Sequence, residues 1–190
     1  MALNNRKQKI KKGEYGYLQK NKLIQLTTSL ILMLLVLIIF YTGYLRYGNT
    51  KNVFTVFAVV SVIPAAKFLV TYIVMAPYKG IITDEYEGMK LFHNAELLYD
   101  LLLSSPEKII NVKIAAIRDN SVYVYVPDKK YEKSEVEKYI RSFLETECKI
   151  TAVKMCKNYN EFKKAVEMLN KNEAGKYDKR LKELLTIYSM

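Results

Sequence analysis

Between Lys22 and Arg46 the chain runs for 23 residues, Leu23 to Leu45, without a charge. A helix of about 20 predominantly apolar residues crosses a hydrocarbon core, so this run reads as a spanning helix. A cleaved signal peptide has a shorter apolar stretch, about 7 to 15 residues, followed by a small-residue cleavage site. Phe40, Tyr41, Tyr44 and Leu45 crowd the place such a site would take, and the expectation is a retained anchor.

A second apolar run, Val53 to Tyr78, carries one charge, Lys67. The connection Arg46 to Asn52 contains Gly48 and Asn49, residues suited to a tight turn, so the two runs predict a transmembrane hairpin. Charge decides its orientation. Residues 1–22 hold seven Lys/Arg against Glu14, whereas the connection holds Arg46 and Lys51; the positive-inside rule therefore expects both ends of the hairpin in the cytosol. Tyr41, Tyr44 and Tyr47 at one end, and Tyr72 and Tyr78 at the other, suit the headgroup level. The expected location is the cell (plasma) membrane, with N- and C-termini cytoplasmic.

The net charge of +11 is concentrated in this N-terminal part: residues 1–79 hold eleven Lys/Arg and one acidic residue. It reads as membrane topology before nucleic-acid affinity, which disfavours nucleic acid as a partner. Arg6, Lys7, Lys9, Lys11 and Lys12 are a candidate contact for anionic lipid.

About 110 residues remain, enough for one small domain. Phe92, Ala95, Leu98, Tyr99 and Leu102 recur at helical spacing, predicting a helix over 86–103 ended by Ser104, Ser105 and Pro106. Ile109 to Ile117 and Val122 to Val126 are β-branched runs flanking Arg118, Asp119, Asn120 and Ser121, a hairpin pattern. Strict alternation would place Ile110, Val112, Ile114 and Ala116 with Val122, Val124 and Val126, and Lys113, Tyr123 and Tyr125 on the opposite face. Ser134 and Glu137 spell a capping box for the next helix. Lys149 to Cys156 reads as a third strand, Asn160 as the cap of a further helix, and Gly175 as a break before a terminal one. The predicted fold is an α+β membrane protein: a basic segment over 1–22, a hairpin over 23–78 with spans 23–45 and 53–78, and over 79–190 a cytosolic αββαβαα domain with a three-stranded mixed sheet.

Sites for chemistry are sparse. The single histidine, His93, has Glu96 and Asp100 three and seven residues on, the spacing of one helix face. Glu147, Cys148 and Lys149 form an E-x-K triplet of the kind metal-dependent nucleases use, with Asp119 as a conceivable second carboxylate. Seven glycines include no phosphate-binding loop. Cys148 and Cys156 flank one expected strand, too far apart to bridge. No cofactor or metal is expected.

Lys113 beside Tyr123 and Tyr125 is a candidate interaction face. Lys67 lies deep in the second span; Pro64 denies the Val60 carbonyl its helical donor, and Thr27, Thr28 and Ser29 offer hydroxyls on the first. These residues form a candidate intramembrane polar contact facing the hairpin or an oligomer seam. The leading functional reading is a membrane-anchored, non-enzymatic protein-interaction or regulatory module. One alternative is a membrane-tethered metal-dependent hydrolase using Glu96, Asp100, Asp119 or Glu147; another is a small accessory subunit that oligomerises through its spans. Expected partners are the bilayer, a cytosolic or membrane protein, and a further copy of the chain.

Overall fold

The computed structural model describes residues 10–105 and 108–190, so Arg6, Lys7, Lys9 and Pro106 lie outside the described residues. The chain forms two compact units, Leu18–Lys79 and a second made of residues up to Tyr17 together with Gly80–Met190.

The first unit is a pair of helices, α1 (Tyr17–Tyr47) and α2 (Val53–Met75), both long and apolar enough to cross a membrane. The turn between them uses Gly48 at φ +62, and the Asn52 side chain caps α2 by accepting from the Thr55 amide at 2.9 Å. Ser29, Val36 and Gly43 of α1, each seven residues apart, are buried, as are Ala58 and Ala65 of α2. The small residues among them, Ser29, Gly43, Ala58 and Ala65, let two antiparallel backbones approach closely. A Cβ on Gly43 would lie 2.4 Å from the Cβ of Phe54. Near the open end, Lys22 donates to the carbonyls of Ala76 and Tyr78, two acceptors left over where α2 ends.

The second unit is a four-stranded sheet between helices. Its elements are α3 (Thr83–Met89), β1 (Glu96–Ser104), β2 (Ile109–Arg118), β3 (Ser121–Tyr125), α4 (Lys133–Leu144), β4 (Ala152–Cys156), α5 (Tyr159–Leu169) and α6 (Asp178–Tyr188). The strand order is β1-β2-β3-β4, with β1 to β3 an antiparallel meander and β4 parallel to β3 across α4. On one face Val136, Ile140 and Leu144 of α4 join Leu181, Leu184 and Leu185 of α6 over Val122 and Val124. On the other, Phe162 and Val166 of α5 and Met89 of α3 cover Ile114, Ala116 and Tyr125.

The sheet thus has four strands where three were expected, because the segment read as a helix over 86–103 divides into the short α3 and strand β1. Leu101, Leu102 and Leu103 are all buried. A strand covered on both faces becomes a continuous apolar run, and leucines in such a run mimic helical periodicity. The β2–β3 hairpin forms as expected. Its turn residues Asp119 and Asn120 have φ of 54° and 52°, the left-handed pair of a type I′ turn.

Two cap assignments change. The Ser134 side chain makes no cap to α4, which begins after Glu132; Glu137 instead accepts the Met155 amide of β4 at 2.7 Å. This bond is charge-assisted and part-buried, and it ties α4 to the edge strand. Helix α5 is capped by Asn158, whose side chain accepts the amide of Asn160.

The expected face assignment of β2 is also revised. Ile110 and Val112 pack with Ala115 and Ile117, whereas Ile114 and Ala116 lie on the opposite side. Facing it, β1 makes the same switch, with Leu98, Leu101 and Leu103 in one core and Leu97 and Tyr99 against the other. Alternation resets in both strands between the pairs Tyr99–Ile114 and Leu101–Val112, at the interposed residues Asp100 and Lys113.

Candidate functional site

The reset is built around Asp100, whose backbone adopts φ +55 in the middle of β1. Only Gly, Asn and Asp visit this region readily. The residue is 4 % exposed, and its carboxylate accepts two main-chain amides: Ile81 at 2.7 Å and Gly16 at 3.1 Å. Those amides flank the helical pair in sequence, one just before α1 and the other six residues after α2. Lys113 donates to the Gly80 carbonyl at 3.0 Å, and a Cβ on Gly80 would sit 3.1 Å from both carboxylate oxygens. Glycine at 80 is therefore the residue that lets the chain pass this close to the acid.

Burial pushes the Asp100 carboxyl above the usual carboxylate range, against the opposing pull of the two amides and the Lys113 charge. The arrangement is a clasp: one buried acid binds both segments that lead into and out of the helical hairpin. Further bonds secure the N-terminal segment. The Tyr99 amide donates to the Gly13 carbonyl at 2.8 Å, Lys12 Nζ donates to the Ser189 carbonyl at 2.8 Å, and the Tyr15 ring stacks on Tyr86 at 4.0 Å.

The residues singled out from sequence are dispersed. Tyr125 is buried against Phe162 and donates to Glu85 at 2.9 Å; Tyr123 packs in the same core beneath α5. Lys113 turns to Gly80, so Lys113, Tyr123 and Tyr125 do not form one open face. Lys12 is engaged with Ser189, and the Lys11 amide with Glu14. In the hairpin, Ser29 donates to the Ala65 carbonyl at 3.1 Å, and Thr27 turns back to the Leu23 carbonyl of its own helix. Lys67 and Pro64 are exposed. The interhelical polar contact therefore belongs to Ser29, not to Lys67.

The carboxylates considered for hydrolysis also stand apart. Glu96 pairs with Lys182 at 2.7 Å, Asp119 accepts from Asn172 at 3.0 Å, and Glu147 pairs with Arg180. His93 is exposed in the turn before β1, so its helical spacing to Glu96 and Asp100 no longer applies. Among the described residues no three His, Cys, Asp or Glu side chains converge as metal ligands. Cys148 and Cys156 are separate buried thiols, and burial raises the pKa of both.

Sequence reasoning weighed Asp100 only as part of a metal or acid–base site on a helix face, read Gly80 as a helix breaker, and passed over Gly16 and Ile81. The available signal was a lone acid inside an apolar run, ELLYDLLLS, together with glycines flanking the hairpin. No family model, curated protein or solved structure matches the chain.

Proposed function

We propose that the protein is a membrane-anchored module: a two-span hairpin inserted near the start of a cytosolic α+β domain, holding that domain at the bilayer surface for protein contact or regulation rather than catalysis. The observation that carries this reading is the clasp. Residues on both sides of the hairpin fold into one unit through Asp100, so a chain that enters the membrane after Tyr17 must return to the same side by Gly80. Two crossings satisfy that requirement and one does not.

The outward surface of the helices supports the same reading. Ile31 is 66 % exposed and Ile63 70 %, and such side chains line both helices; a contiguous apolar surface of this extent is covered in a folded protein. The charge balance, seven cations before Leu23 against two in the connection, supports a cytosolic domain.

The test removes the anchor and keeps the clasp. Gly16 and Ile81 reach the same carboxylate, so a Gly-Ser linker of a few residues can replace 18–79. The expected result is a soluble, folded, monodisperse domain, with the full chain resisting carbonate extraction from membranes. Extraction of the full chain by carbonate, or membrane retention of the shortened one, contradicts the proposal.

A further inference from the structure

We propose that the outer face of α2 around Lys67 docks a transmembrane helix of another protein that carries an aspartate or glutamate at matching depth. The proposal rests on the membrane reading above and names the chemistry of a partner for it.

Lys67 is two residues beyond Ala65, about 200° around a helix of 3.6 residues per turn. Ala65 is fully buried against α1 and its carbonyl receives Ser29, so Lys67 faces away from the hairpin seam and is exposed. It lies 14 residues from Val53 and 8 from Met75, hence about 21 Å and 12 Å from the ends of α2. Escape of the ammonium to the nearer end runs against the tilt of the Cα–Cβ bond, which points toward the helix N-terminus. A cation held at that depth calls for a protein or water surrounding.

The same stripe also contains a break in the helix's own hydrogen bonding. Val60, Pro64, Lys67 and Thr71 follow at i, i+4, i+7 and i+11, one face of a helix. Val60 is 58 % exposed, and Pro64 has no N–H to give its carbonyl. The Thr71 hydroxyl donates to the Lys67 carbonyl at 2.9 Å.

Charge selects the occupant. From Leu23 to Tyr78 the sequence contains no Asp or Glu. A second copy could therefore set only another lysine or a neutral polar group such as Gln25 or a hydroxyl against Lys67, whereas a carboxylate at the same depth neutralises it and accepts its hydrogen bonds.

The experiment reconstitutes the full chain in phosphatidylcholine vesicles with a synthetic leucine-rich transmembrane peptide bearing one central Asp, Leu or Lys, and reads association by energy transfer. The Asp peptide is expected to associate about tenfold more strongly than the Leu peptide, the scale of a strong interhelical polar contact between model transmembrane peptides. That advantage should vanish in Lys67→Leu and persist in Lys67→Arg, with the Lys peptide excluded. Equal association of the Asp and Leu peptides, or an Asp advantage that survives Lys67→Leu, overturns the proposal. So does Lys67-dependent self-association of the chain, which would assign this face to a second copy. Protease protection and carbonate resistance are measured on every sample: loss of insertion overturns the membrane reading and this proposal with it, whereas insertion without Asp dependence overturns this proposal alone.

Discussion

Asp100 and Gly16 lie 84 positions apart, yet the carboxylate of one accepts the main-chain N–H of the other at 3.1 Å. The same carboxylate takes the Ile81 amide at 2.7 Å. Replacing Asp100 with Ala orphans two donors, at about 1–3 kcal/mol for each buried group left unsatisfied. It also puts a residue that disfavours the left-handed region at φ +55, adding about 1 kcal/mol. Asn tolerates that backbone and keeps one acceptor, so Asp100→Asn should cost less than Asp100→Ala. Chemical unfolding of the full chain in detergent, followed by near-UV circular dichroism of the tyrosines, ranks the two.

The acid also sets a pH dependence. Its folded pKa is raised above the unfolded value, chiefly by desolvation. The folded state therefore holds the Asp100 proton more tightly than the unfolded state. The resulting stabilisation is fully present below the unfolded value of about 3.9 and is lost as pH rises through the folded value. The stability difference between the native chain and Asp100→Asn should shrink over that interval. A difference that grows with pH would mean that the two amides and Lys113 outweigh burial.

Glu137, not Ser134, stabilises the region around α4. Ser134→Ala should change unfolding free energy by less than about 0.5 kcal/mol, as expected where no cap is lost. Glu137→Ala removes a charge-assisted bond to the Met155 amide and should cost about 1.5–3 kcal/mol. The reverse order in the same unfolding assay would restore the capping box.

Within the helical pair, Gly43→Val places a branched side chain where even a Cβ meets Phe54 at 2.4 Å. Core overpacking costs about 1–3 kcal/mol. Ser29→Ala forfeits only the bond to the Ala65 carbonyl, worth about 0.6 kcal/mol between helices in a bilayer. Mild-detergent thermal melts followed by energy transfer between labels at Lys20 and Lys79 should show a large loss for Gly43→Val and a small one for Ser29→Ala.

Much of this architecture was legible in residue patterns with a local cause. Apolar length marked both long helices, β-branched runs around Asp119 and Asn120 marked the hairpin, and amphipathic spacing marked α4, α5 and α6. Strand β1 was not legible: Leu101, Leu102 and Leu103 are buried together, and burial on both faces erases period-two alternation. Nor was the clasp, because Asp100 meets Gly16 and Ile81 only after the chain has passed through the whole hairpin. Lys67 was conspicuous in sequence as a lone charge, but its direction depends on which residues form the seam, and the buried residues at heptad spacing on both helices decide that.

The most direct test of the two-span, clasped arrangement is thiol accessibility in intact cells. Cys148 and Cys156 are buried and serve as silent background, while Thr50 in the connection and Glu173 in the exposed segment before α6 accept single cysteines. Thr50→Cys should react with an impermeant maleimide added outside, and Glu173→Cys only after permeabilisation. Labelling of Glu173→Cys from outside, with Thr50→Cys protected, would contradict the orientation; labelling of both in intact cells would contradict the two crossings themselves.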